Sequence, residues 1–159
     1  MINLEVLDVK GNNLSHLDLD GLTTLSDVNA NNNKLTSISF SGLTNLETAD
    51  FSSNWLTRVD NLDGAPNITY LDVSSNLLAT VPESIMDLTF DTLSISNNCR
   101  DTEAMSSDLL TFLDSNADDT GRSSITNDAC YNDPKEVDAL IDLYNATDGP
   151  NGRDTNDNW

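Results

Sequence analysis

Residues 4–14 read Leu-Glu-Val-Leu-Asp-Val-Lys-Gly-Asn-Asn-Leu, and residues 25–35 read Leu-Ser-Asp-Val-Asn-Ala-Asn-Asn-Asn-Lys-Leu. Both fit one frame: an apolar residue, two variable ones, apolar, variable, apolar, two variable, Asn, variable, apolar. Leu4, Leu7, Val9, Asn12 and Leu14 fill it first, then Leu25, Val28, Ala30, Asn33 and Leu35. It returns as Leu46, Ala49, Phe51, Asn54, Leu56 and as Ile68, Leu71, Val73, Asn76, Leu78. A fifth, broken copy runs Phe90, Leu93, Ile95, Asn98, with Arg100 in the last apolar place. The steps are 21, 21, 22 and 22 residues, and Gly21, Gly42 and Gly64 fall at one phase of the intervening loops. Self-similarity at a fixed short period is the mark of a stacked repeat, because no single repeat can bury its apolar side alone.

The frame resembles the leucine-rich repeat family in its short-repeat bacterial extracellular form. That resemblance implies an α/β fold: a right-handed leucine-rich repeat solenoid, a parallel β-sheet on its concave face, and a helical C-terminal cap. In each strand, residues such as Leu7 and Val9 alternate inward while Asp8 and Lys10 face out. The column Asn12, Asn33, Asn54, Asn76, Asn98 is polar yet placed inside. Buried amides are hydrogen-bonded, so these five are expected to form a ladder onto the backbone of neighbouring turns. Leu17, Leu22, Ile38, Leu43, Val59, Leu62, Val81, Ile85 and Leu88 supply a second apolar set on the return segments. Pro82 opens a short helical turn there.

The chain has 159 residues and a net charge of -20, with 22 Asp against only 5 Glu, beside 21 Asn and 22 Leu. Asp and Asn favour turns and caps over helix interiors, which fits short strands joined by many turns. The charge argues against nucleic acid and against an anionic membrane as partners. It suits a salty or calcium-rich exterior, where screening relieves self-repulsion. No apolar run reaches the roughly 18 residues of a membrane span.

Three segments follow: repeats over 1–98, a C-terminal cap over 99–132, and a helix with an Asn/Asp-rich tail over 133–159. For the cap, Asp101 is expected as N-cap, with Glu103, Met105, Leu109, Phe112 and Leu113 on the helix and a loop over Asp114 to Gly121. Cys99 and Cys130 bracket this cap, which points to a disulfide like those closing the caps of extracellular leucine-rich repeat proteins. In the tail, Val137, Leu140, Ile141 and Tyr144 make an apolar stripe after Asp133, Pro134 and Glu136. This segment resembles the opening of leucine-rich repeat arrays in large bacterial surface proteins, with Gly152 where a tryptophan often stands. The first rung begins almost at once, without a cap. A neighbouring array in the same chain, or end-to-end self-association near Leu4, Leu7 and Leu14, would cover it.

No catalytic signature is present. His16 lies beside Ser15 and Asp18, but three residues within four positions of one turn do not build a catalytic triad. Asp114, Asn116 and Asp118 alternate like the first ligands of a calcium loop. An EF-hand is excluded, because Asp119 stands where glycine is needed and Ile125 where a bidentate Glu belongs. No metal site or cofactor is assigned, with a weaker calcium site in that loop as the alternative. The expected functional surface is the concave strand face: Asp8, Lys10, Asp27, Asn29, Asn31, Asp50, Ser52, Tyr70, Asp72 and Ser74. Tyr70 is its aromatic anchor. The expected function is a non-catalytic, secreted or cell-surface module binding a protein through that face. The alternatives are a structural spacer in a large adhesin and a carbohydrate- or surface-binding module. Small polar columns favour these two, whereas aromatic and arginine anchors favour a protein partner.

Overall fold

The computed structural model describes residues 3–99 and 101–117. All of them belong to the first of the chain's two units, Met1–Ala129; the second, Cys130–Trp159, lies outside the described residues. So do Cys130, and with it the expected pairing to Cys99, and the tail stripe from Val137 to Tyr144.

Among the described residues there are seven three-residue strands, two short 3₁₀-helices and one α-helix. β1 (Val6–Asp8), β2 (Asp27–Asn29), β4 (Thr48–Asp50), β6 (Tyr70–Asp72) and β7 (Thr92–Ser94) form a five-stranded parallel sheet in that spatial order. Leu7, Val28, Ala49, Leu71 and Leu93 are in register across it. Each is the second apolar residue of its copy of the frame, so the repeat period of the sequence is the rung period of the solenoid. Val28, Ala49, Leu71 and Leu93 are buried; in the first rung Leu4, Leu7, Val9 and Leu14 are half-buried.

The return side holds a feature that alternation in the sequence did not expose. β3 (Ser37–Ser39) and β5 (Arg58–Asp60) pair in parallel, with Ile38 opposite Val59 and both turned inward. A 3₁₀-helix over Leu62–Gly64 follows β5, and the next return buries Val81 without a strand before a 3₁₀-helix over Glu83–Asp87, opened by Pro82 and burying Ile85. Between the strand side and the return side, Phe40 and Phe51 meet edge to face at 5.9 Å. They are the largest fully buried side chains of the core.

The Asn ladder takes a regular form. Asn54 Nδ2 donates to its own rung at Phe51 O (3.1 Å) and to the previous rung at Ala30 O (3.0 Å), while its Oδ1 accepts Leu35 N–H (3.0 Å). Asn33, Asn76 and Asn98 repeat this pattern. All four are between 4% and 6% exposed. Asn12 departs from the expectation: it bonds Val9 O and Lys10 O of its own turn but is exposed. Among the described residues no rung stands ahead of it to supply the second half of the ladder.

The residue before each ladder Asn is left-handed: Gly11, Asn32, Ser53, Ser75 and Asn97 have φ between 54° and 66°. Small polar residues and glycine tolerate that region better than branched ones, which accounts for this column. The loop glycines are less uniform than their spacing implies. Gly21 and Gly42 have φ of 78° and 72°, but in the next return the left-handed residue is Asn61 at 52°. Gly64 is required for a different reason. A Cβ there would run into the Phe40 carbonyl and come within 2.9 Å of Ser41 Cα.

The cap helix starts later than its sequence indicates. Asp101 Oδ1 accepts the N–H groups of Glu103 and Ala104, closing a separate turn. Ser106 is the true N-cap: its Oγ accepts Leu109 N–H at 3.1 Å, and α1 runs over Ser107–Asn116. Leu109 and Leu113 are buried, with Met105 beside them. Met105 and Leu113 share a small void of about 10 Å³ with Leu78, Val81, Ile95 and Asn98 of the last rungs. Asp114 and Asn116 therefore lie in the last turn of α1 rather than in the expected loop, and Asn116 Nδ2 donates to Phe112 O. Alternate positions diverge around a helix, so Asp114 and Asn116 point to different sides, and the remaining members of that spacing, Asp118 and Asp119, lie outside the described residues.

Candidate functional site

The five-stranded sheet brings the expected face together. Its first column is Val6, Asp27, Thr48, Tyr70, Thr92 and its second is Asp8, Asn29, Asp50, Asp72, Ser94, both in strand register. Lys10, Asn31, Ser52, Ser74 and Ser96 continue the rungs. The carbonyls of Asn31, Ser52, Ser74 and Ser96 accept N–H groups from Gly11, Asn32, Ser53 and Ser75 of the preceding rung.

The second column has a local role that the repeat alone did not reveal. Asp8 Oδ1 accepts Lys10 N–H, Asn29 Oδ1 accepts Asn31 N–H, Asp50 Oδ1 accepts Ser52 N–H, and Asp72 Oδ1 accepts Ser74 N–H. Each is an Asx turn that bends the chain out of its strand. Asp50 is held further by Ser52 Oγ at 2.7 Å and by Asn31 Nδ2 at 2.7 Å. Asp27 accepts Ser26 Oγ at 2.6 Å. The carboxylates are therefore fixed in direction by neutral donors.

A shallow hollow of about 320 Å³ lies on this face, lined by Val6, Asp8, Asp27, Asn29, Thr48, Asp50 and Tyr70. Val6 is 60% exposed, an unusual position for valine in a strand. Partial burial raises the Tyr70 phenol above its ordinary pKa, and the negative charges of Asp72 and Asp50 push the same way. The phenol is thus held protonated, as a hydrogen-bond donor. At the edge of the sheet the Lys10 ammonium sits 3.1 Å from Asp8 Oδ2. That contact and the Lys10 N–H hold the Asp8 carboxyl below its usual range.

Trp55 was not singled out from the sequence. It follows ladder residue Asn54, is 52% exposed, and has Lys34 Nζ 5.8 Å from its ring centroid. The one signal for it was an aromatic in a frame position otherwise filled by Asn13, Lys34, Leu77 and Cys99. Among the described residues no three His, Cys, Asp or Glu side chains gather as a metal site. No helix among them is long and apolar enough to cross a membrane.

Residues 3–25 match the family model for the Leucine Rich Repeat. The structure matches that of a leucine-rich repeat protein of Leptospira interrogans with a TM-score of 0.60 and 22% identity. The match covers 67% of this chain and 29% of that one. The fold is that of a leucine-rich repeat solenoid. At that identity the likeness concerns the fold. The matched part of the chain corresponds to under a third of the Leptospira protein's length. No curated protein matches the sequence. Leucine-rich repeat domains are in general protein-interaction scaffolds, and the fold is typically non-catalytic.

Proposed function

We propose that the chain is a non-catalytic interaction module, secreted or displayed at a cell surface, that binds a protein partner across the exposed face of the five-stranded sheet. The observation that carries this is the hollow around Tyr70. It combines an exposed valine, an aromatic hydroxyl and fixed carboxylates on one rigid sheet. A protein surface of alternating apolar and polar groups fits such a lining. The preformed backbone limits the ordering cost of binding. The extracellular part of the reading is supported by the charge of -20 and by the placement of Cys99 and Cys130 around the cap.

A random peptide-display selection against the purified chain, followed by amide-shift mapping of the selected peptides, tests it. Footprints over β1, β2, β4 and β6, weakened by Tyr70→Ala, are expected. Selected peptides that map to β3, β5 and the return loops overturn it. A selection that enriches nothing favours the spacer alternative instead.

A further inference from the structure

The charges on the sheet face are unbalanced in a way that specifies the partner. Asp8, Asp27, Asp50 and Asp72 stand there with one cation, Lys10, and Lys10 is engaged by Asp8. The other cations among the described residues are occupied elsewhere. Lys34 lies against Trp55, and Arg58 pairs with Asp60 at 2.9 Å. Among the described residues, Asp27, Asp50 and Asp72 thus have neutral donors only.

Asp50 and Asp72 are opposite each other in register, and Asp27 sits one strand away on the diagonal. Neighbouring strands are about 4.8 Å apart, so these carboxylates repel. A cation entering the hollow, which Asp8, Asp27 and Asp50 line, offsets the negative charge gathered there. Val6 and the Tyr70 ring provide apolar surface for a long aliphatic stem. Guanidinium suits the place better than ammonium: it is planar, stacks on an aromatic ring and bonds two acceptors at once.

Building on the protein-binding reading above, we propose that the hollow seats an arginine side chain of an extended cationic segment of the partner. Its guanidinium lies between the Asp27 and Asp50 carboxylates and its stem lies against Val6 and Tyr70.

The test uses the whole chain and two short synthetic peptides. One carries arginine at alternate positions, and its twin carries citrulline, which has the same shape without the charge. At physiological salt the arginine peptide is expected to bind with a footprint on β1, β2, β4 and β6, and the citrulline twin about tenfold more weakly. Asp27→Asn with Asp50→Asn is expected to weaken the arginine peptide about tenfold. At position 50 Asn29 is the precedent, since it makes the same Asx turn with a neutral amide, and at position 27 an Asn oxygen can still accept Ser26 Oγ. The control is Asp18→Asn with Asp63→Asn, two exposed positions off the sheet face. It removes equal charge and is expected to change binding less than about twofold, since distant surface charges are screened. Equal binding of the citrulline twin overturns the proposal, because the guanidinium charge would then be irrelevant; an equal loss in the control overturns it too, because attraction would then follow overall charge. If display-selected peptides map to the sheet while the arginine peptide shows no preference, the protein-binding reading stands and the arginine pocket fails. If no peptide of either kind maps to the sheet, both fail.

Discussion

Replacing Asn54 by Leu should destabilise the array by an amount that its hydrogen bonds define. The Asn54 amide serves four backbone groups: Ala30 O, Phe51 O, Ser52 O and Leu35 N–H. Three of these keep another partner when it goes. Ala30 O still accepts from Asn33, Phe51 O from Asn76, and Ser52 O from the N–H of Asn32. Among the described residues no backbone carbonyl accepts Leu35 N–H in its stead, and Leu35 is fully buried. An orphaned buried donor costs about 1–3 kcal/mol, and the net worth of the lost bonds adds about 1 kcal/mol. The expected loss is therefore about 2–4 kcal/mol. With a urea slope of about 2 kcal/mol/M for a small domain, the midpoint should fall by about 1–2 M. Asn12→Leu is the internal control: its amide is exposed and bonds only its own turn. Its effect should stay below about 1 kcal/mol. Urea titrations followed by circular dichroism read both. Equal shifts for the two variants would refute the claim that the ladder acts through bonds between rungs.

Gly64→Ala should cost about 1–3 kcal/mol, because its Cβ meets backbone at Phe40 and Ser41 rather than a yielding side chain; an unchanged thermal midpoint would show that the two return segments can separate without loss. The Tyr70 phenol should titrate above its ordinary value of 10.0, and Asp72→Asn should lower it by removing one of the charges that raise it. A difference spectrum against Tyr70→Phe isolates it. Because the folded pKa is the higher one, the associated stability is present below the unfolded value and is lost as pH rises through the folded one. An Asp72→Asn titration that moved upward would contradict the placement of that carboxylate near the ring. We expect Cys99 and Cys130 to be bonded in oxidised protein, so that reduction lowers the melting temperature. Peptide mapping without reductant that recovered both thiols unpaired would rule this out.

The strand side was legible because three features recur in every copy of the frame: apolar alternation, an Asn at one position, and a period of 21 or 22 residues. A strand of three residues is too short to be read alone, but five copies in one phase reinforce one another. The return side offered no such redundancy. β3 and β5 fall in phase with residues 80–82, which form no strand, whereas the 3₁₀-helices Leu62–Gly64 and Glu83–Asp87 share a later phase, so the same stretch of the return is a strand in two rungs and not in the third. Ser37, Ser39, Arg58 and Asp60 flank one inward residue each, too little alternation to mark a strand. The cap start was misplaced for a related reason. Asp101 and Ser106 are both good N-cap residues, and both do cap a turn. Only packing shows that the helix burying Leu109 and Leu113 begins at the second.

The face of the sheet was legible as a set of residues and illegible as to purpose, and the Asx turns explain why. A polar side chain after the second apolar residue is demanded by the bend, so its recurrence carries no information about ligands. The choice between Asp and Asn does carry some. Asn29 makes the turn bond at 3.2 Å with a neutral amide, and Asp50 makes it at 3.0 Å with a charge. Geometry therefore permits Asn at all four positions, and three hold Asp. Asp50 and Asp72 face each other across adjacent strands, an arrangement that like charges disfavour. Partial burial raises the Tyr70 pKa, and the negative charges of Asp72 and Asp50 add to the rise. The turn accounts for the side-chain oxygen at each place. It does not account for the negative charge, and that surplus on an otherwise regular scaffold is the strongest reason to look for a cation in the partner.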